Sequence, residues 1–157
     1  MANIVYNSAI YDIATGAIDL NTDTFKVMLV GSTYHAIAAE TKRDSHTKRS
    51  DITDEVTGTG YSAGGATLAS VTVTNDTTNN IIKVDCTDPS WTTATISGVY
   101  GAVFYKSRGG ASSSDELLCF QDLYAANSNA AVSVTSGTLS IVIHANGFFT
   151  FEPKSGS

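Results

Sequence analysis

Apolar residues near the start of the chain recur at spacings of three and four. Val5, Ala9 and Ile13 share one helical face, with Tyr6 and Ile10 beside them, so a short helix is expected over residues 3–18. Asn3 can cap its start and Gly16 can end it. The rhythm then changes to a period of two. In Phe25–Val30, the side chains of Phe25, Val27 and Leu29 alternate with Lys26, Met28 and Val30, the pattern of a strand. Residues 31–60 follow with only Ile37, Ile52 and Val56 as large aliphatics, and read as one long polar loop.

From residue 68 onward, apolar alternation is punctuated by turn residues. Strands are expected over 68–74, 81–86, 99–106, 117–123, 131–135, 138–144 and 148–151. The turn cluster at 75–80 makes the first two a hairpin. Pro89 cannot donate to a ladder and breaks the pattern over 88–91. Residues 107–115 are a flexible Gly/Ser loop. Ser136-Gly137 and Asn146-Gly147 are tight-turn dipeptides, the second a strong hairpin signal. About eight strands with frequent turns predict an all-β fold: a single β-sandwich, jelly-roll or Greek-key-like, with a short N-terminal helix. One domain is expected over 1–157, with 1–17 as an arm and 31–60 as the long loop.

Composition sharpens this picture. A chain of 157 residues can bury roughly 70% of its unfolded surface and needs no covalent staples. Only 15% of residues are charged, and Thr, Ser, Asn and Gly stand in for them, which favours strands and turns over exposed helices. The net charge of −6 repels phosphates, so nucleic acid is not an expected partner. Lys42, Arg43, Lys48 and Arg49 cluster, but Glu40, Asp44 and Asp51 are interleaved, which reads as a solvated loop. No apolar run reaches the ~18 residues of a membrane span. The start lacks the basic region and apolar core of a signal peptide, so synthesis in a reducing cytoplasm is expected. There Cys86 and Cys119 read as buried thiols rather than a disulfide.

One stretch invites an enzymatic reading. Residues 58–65 read GTGYSAGG and contain GYSAG, a match to the G-x-S-x-G nucleophile elbow. The elbow needs a strand before the serine and a helix after it. Here a polar segment precedes Ser62 and a β-branched segment follows, and the only downstream histidine is His144. The plainer reading is structural. Gly58, Gly60, Gly64 and Gly65 let a loop turn sharply, at least one of Gly64 and Gly65 needing positive φ or a close backbone approach, and Tyr61 anchors the loop. A phosphate loop is excluded because Ala66 stands where a lysine is required. His35, His46 and Asp44 lack zinc spacing and read as solvated. Asp19 and Asp23 do not make a calcium pattern, and Asp54-Glu55 reads as a solvated pair rather than an acid site. Trp91 reads as core, with a sugar-stacking platform as the alternative. Phe148, Phe149 and Phe151 include neighbours on opposite faces, so one ring should be exposed or covered by a partner.

Several segments together resemble the small virion structural proteins of tailed bacteriophages. Residues 18–30, IDLNTDTFKVMLV, resemble the opening IDL-x-T-D-T-(apolar)-K-V-x-L. Residues 55–68, EVTGTGYSAGGATL, are similar to E-V-S-G-x-G-Y-x-x-G-G-x-x-L. Residues 88–92, DPSWT, and 101–106, GAVFYK, resemble D-V-x-W and A-V-x-Y-K. The order is kept over residues 4–151, and the chain departs in a longer insert at 35–43. The resemblance implies a non-enzymatic capsid decoration (cement) protein, a homotrimer on the head surface whose partner is the major capsid protein. It carries over no catalytic residue, cofactor or metal. Two other classes stay open: a tail or fibre module that binds host or carbohydrate, and, remotely, a serine esterase using GYSAG. The expected contact residues are Ile4, Val5 and Tyr6 near the chain start, Lys42, Arg43, Lys48 and Arg49 in the loop from 32 to 57, and Phe149.

Overall fold

The computed structural model of the chain describes residues 3–153. Strand residues exceed helical ones, 39% against 20%, so the fold is mostly β. The strands described number eleven and form three antiparallel sheets rather than the eight strands expected. The main sheet has the order β1 (Ile4–Val5), β9 (Leu117–Asp122), β8 (Gly101–Lys106), β2 (Phe25–Val30), β4 (Ala66–Thr67). A second sheet runs β10 (Val132–Ser140), β7 (Ser90–Val99), β3 (Gly58–Thr59), and a third β11 (Phe149–Phe151), β6 (Ile81–Asp85), β5 (Thr72–Asp76).

All six residues of β8 are buried, so the main sheet is covered on both faces. Register places Val27 opposite Phe104, and Met28 opposite Val103, which in turn faces Phe120. Because side chains alternate, Val27 and Phe104 share one face while Met28, Val103 and Phe120 share the other. On the first face Phe104 stacks on Phe148, just before β11, with ring centroids 5.0 Å apart. On the second, Phe120 meets Tyr34 of helix α2 (Ser32–Ala36) at 6.0 Å, and the ammonium of Lys42 of helix α3 (Ala39–Ser45) lies 4.3 Å from its ring. Residues 31–60 are therefore not one long loop. They fold into these two helices, a 3₁₀ turn at Arg49–Asp51 and strand β3.

Other expectations shift as well. The first apolar residues are split between two elements: Ile4 and Val5 pair with β9, and helix α1 starts only at Asn7 and runs to Ala14. Tyr6 caps that helix, and the amide of Asn3 is not involved; its side-chain oxygen accepts the Asp122 N–H at 2.9 Å. β7 is a ten-residue strand where a break was expected, because Pro89 precedes its first residue and needs no ladder bond there. The strands expected at 131–135 and 138–144 merge into one strand, β10, which ends at Ser140 and leaves 141–144 outside it, and Ser136-Gly137 is a bulge inside it with Ser136 at φ 48°. Asn146-Gly147 does turn the chain, but it leads to β11, which pairs with β6 and not with the preceding strand.

The segment 58–67 joins two sheets within ten residues. β3 pairs with β7 of the second sheet and β4 pairs with β2 of the main sheet. Both contacts depend on missing side chains. A Cβ on Gly58 would collide with the carbonyl oxygen of Thr95, and one on Gly65 with that of Val27. Gly64 and Gly65 also sit at φ 84° and 71°, the left-handed region expected of at least one of them. Gly65→Ala should therefore lower stability by about 2–5 kcal/mol, from strained φ plus the steric clash. Gly110→Ala, with open space at its Cβ, should leave the urea midpoint unchanged. Equal midpoints for the two variants would contradict the assignment.

Candidate contact surface

The GYSAG stretch is built as a clasp. Ser62 is exposed, and its carbonyl accepts the Gly65 N–H at 2.9 Å in a turn that leads directly into β4, not into a helix. Glu55 anchors the loop: its carboxylate accepts the Tyr61 hydroxyl at 2.7 Å and the Gly64 N–H at 2.6 Å. Tyr61 in turn accepts the Leu29 N–H at 3.0 Å, and Tyr105 donates to the Gly64 carbonyl at 2.6 Å. Burial pushes the Tyr105 hydroxyl up to about 12, so it remains a donor at neutral pH. Asp54 does not pair with Glu55; it accepts the Thr33 N–H at 2.7 Å. Trp91 is buried against Tyr61, with centroids 5.8 Å apart, and offers no platform to a sugar.

The basic cluster of the 32–57 segment is largely turned inward. Lys42 is fully buried, a correction to its expected place on a contact surface. Its ammonium lies over the Phe120 and Tyr34 rings, 4.3 and 5.1 Å from their centroids, and donates to the His35 carbonyl at 3.0 Å. Burial lowers its pKa to about 8, partly opposed by the nearby Asp122 carboxylate. Lys48 pairs with Glu116 at 3.0 Å and Arg49 with Asp115 at 2.7 Å, tying the segment to the start of β9. Arg108 adds a second cation to Glu116 at 2.9 Å. Burial alone would raise the Glu116 carboxyl, but hydrogen bonds from Arg108 and Lys48 outweigh it and hold the group below its ordinary value.

The histidines of this segment are not solvated either. The imidazole of His35 meets the Asp122 carboxylate at 3.0 Å and lies among the rings of Tyr100, Tyr124 and Phe120. His46 shares a 3.0 Å hydrogen bond with the Tyr34 hydroxyl, which bonds Tyr6 at 2.8 Å. Burial lowers the His46 pKa and raises those of Tyr6 and Tyr34, so the chain of three groups is neutral around pH 7. Among the described residues no group of three or more His, Cys, Asp or Glu is placed to hold a metal ion. Cys86 and Cys119 are free thiols; Cys119 is buried as expected, Cys86 only half-buried, and burial raises both, Cys86 to about 11.

The chain start is also internal. Ile4 and Tyr6 are buried in the core, which removes them from any contact surface, and Phe149 is buried with them. Val5, at 38% exposure, and Arg43, paired only with its neighbour Asp44 at 2.7 Å, are the named contact residues that face outward. Other large apolar residues are exposed as well: Val73, Val142 and two on the first helix that were not singled out from the sequence as contact residues. Ile10 and Tyr11, 47% and 68% exposed, stand on the outer side of α1, and their position just after the buried Ala9 was the available signal. Val5 also lines a cleft of about 340 Å³ between the free edges of β1 and β11, with Gln121 and Phe148 beside it.

Two long stretches of the chain carry no charge. Residues 89–105 and 123–151 contain no Asp, Glu, Lys or Arg. They include all of β7 and β10, whose outward residues are Thr92, Thr95, Ser97, Ser133, Thr135 and Thr138. Trp91, Ala94, Ile96, Val99 and Leu139 point inward from the same ribbon. The result is an exposed hydroxyl face with an apolar underside.

Two outcomes test these assignments. Glu116→Gln should cost about 1–3 kcal/mol at pH 7, the range for losing hydrogen bonds to a buried charged group. Glu116 has a depressed folded-state pKa, so its contribution is present above its ordinary value of 4.5 and is lost as pH falls through the folded value. The gap in urea midpoint between Glu116→Gln and wild type should therefore narrow as pH falls below 4.5; a gap unchanged with pH contradicts the ion-pair assignment. Ser62→Ala should leave stability unaltered, and a serine-reactive probe should not label the folded wild type; stoichiometric labelling at Ser62 would restore the hydrolase reading.

Comparison with known proteins supplies no relative: no protein-family model, no curated protein and no solved structure matches this chain.

Proposed function

We propose that the chain is a non-enzymatic structural component of a tailed-phage virion, a capsid decoration protein that binds the major capsid protein lattice as a homotrimer. The observation that carries this reading is the segregation of charge. Lys48, Arg49, Arg108, Asp115 and Glu116 form ion pairs where the 46–51 segment meets residues 106–116, and the other charged residues lie elsewhere, while the β7–β10 face carries none. Such a face can be buried against neighbouring subunits without stranding ions. Symmetry then multiplies each contact.

The segments that resemble phage proteins fall on the framework: β2 and the turn before it, the clasp at 55–68, the start of β7, and β8. The departure at 35–43 falls in α2 and α3, which cover one face of the main sheet. On this reading the framework is a sandwich of jelly-roll or Greek-key type, with the main sheet as one layer and the two smaller sheets as the other. Tyr11, Ile10 and Val5 supply the apolar part of the attachment, in place of the buried Ile4 and Tyr6.

Quantitative mass spectrometry of purified virions tests it. Hundreds of copies per particle are expected. A few copies would assign the chain to the tail tip, collar or fibre, and its absence from particles would overturn the reading. A Tyr11→Glu variant should fold normally, since the side chain is exposed, and should lose most of its occupancy on particles lacking the protein.

A further inference from the structure

Strand β5 has an open outer side. Among the described residues it is hydrogen-bonded to β6 alone, and Thr72, Val73, Thr74 and Asn75 are all exposed. Its pairing with β6 runs without a shift from Thr72 opposite Asp85 to Asp76 opposite Ile81. An edge strand presents a row of unpaired backbone N–H and C=O groups, and natural proteins blunt such rows with bulges, proline or lysine. β10, the longest edge strand described, is blunted: its register against β7 shifts repeatedly, and Ser136 is at φ 48°. β5, with the sequence TVTND, has none of these devices.

We infer that β5 is a self-association edge, which pairs antiparallel with β5 of a second copy across a two-fold axis through Thr74. The row of backbone donors and acceptors accepts an extended strand and little else. A second copy brings one of matching length, and centring on Thr74 is the alignment that pairs all five residues. It sets Thr74 against Thr74, Val73 against Asn75, and Thr72 against Asp76. Threonine pairs directly opposite each other are favourable on a sheet face.

Charge selects the same alignment. The chain carries a net charge of −6, so a self-contact must keep carboxylates apart. The one ionised residue of β5, Asp76, faces a threonine and not its symmetry mate. Its carboxylate is already engaged in the turn, accepting the Thr78 and Asn79 N–H groups at 3.0 Å. On β6 the cation Lys83 is matched by Asp85 at 3.3 Å. The contact joins two three-stranded sheets into one of six, with the isologous symmetry of a closed dimer. It is a property of the chain off the particle, whereas the homotrimer of the virion reading is a state on the capsid lattice, so the two stand or fall separately.

The test uses the full chain with Cys86→Ser, which leaves Cys119 as the one native thiol, buried in the core. Thr74→Cys should cross-link to a dimer on mild oxidation, because the two sulfurs lie directly opposite. Thr72→Cys should stay monomeric, because its mates sit four residues apart along the strand, roughly 14 Å. In sedimentation the wild type should show a dimer, Thr74→Lys a monomer, and an equimolar mixture of Thr74→Lys with Thr74→Glu a dimer again. Should Thr74→Lys fail to fold by circular dichroism, the pair of cysteine variants decides. A wild type that sediments as a monomer at its highest soluble concentration, equal cross-linking at 72 and 74, or a dimer that survives a folded Thr74→Lys would overturn the inference.

Discussion

With all six residues of β8 buried, both sides of the main sheet must be covered by other parts of the same chain. That requirement organises the molecule. Phe104 on one side and Phe120 on the other are both fully buried, and each such ring contributes roughly 1.5–3 kcal/mol only while its cover stays in place. On the Phe104 side the ring of Phe148, just before β11, supplies cover. Helices α1, α2 and α3 close the Phe120 side, which is why the polar segment after β2 folds back onto the sheet and does not extend into solvent. The burial of Lys42 follows from the same geometry. A position facing the sheet on so short a helix must fill space, and a lysine stem fills it, provided its ammonium finds an acceptor such as the His35 carbonyl.

The covers must also be attached. The clasp at 58–67 does this with two strands of two residues each, too short to hold by pairing alone. Close backbone approach at Gly58 and Gly65 supplies the geometry, and Glu55 with Tyr61, Gly64 and Tyr105 supplies the lock. Glycine and serine recur in enzyme elbows for a related reason, because small residues permit a sharp turn. What separates the two cases is the element that follows, and here it is a strand.

Legibility tracked how local each signal was. Phe25–Val30 was readable because its alternation is complete within six residues, and 117–123 because its apolar run is bounded by charges. β7 was missed because proline and a run of threonines look like a turn until the partner strand is known. The hairpin at 75–80 was found because Asp76 starts the turn with its own side chain, a contact within four residues. The contact surface was read poorly for the opposite reason. Lys48 and Arg49 find their carboxylates on residues 116 and 115, more than sixty positions away, and nothing in the local sequence announces that. Ile4 and Tyr6 were read as contact residues near the chain start, yet Ile4 is held by pairing with Phe120 across most of the chain length.

The neutral face sets a different constraint. The outward side of the β7–β10 ribbon carries threonine and serine and no charged residue. A hydroxyl can donate and accept, so it is satisfied equally by water or by a neighbour, and burying it costs little if either is present. It also gains little, and the outward side of the ribbon has no aromatic or arginine anchor of the kind that concentrates binding energy. A single copy would therefore hold a partner weakly through this face. Affinity would have to come from repetition, with many identical shallow contacts engaged at once on a symmetric surface, and that is the physical setting in which a charge-poor, hydroxyl-rich sheet is an advantage rather than a deficit.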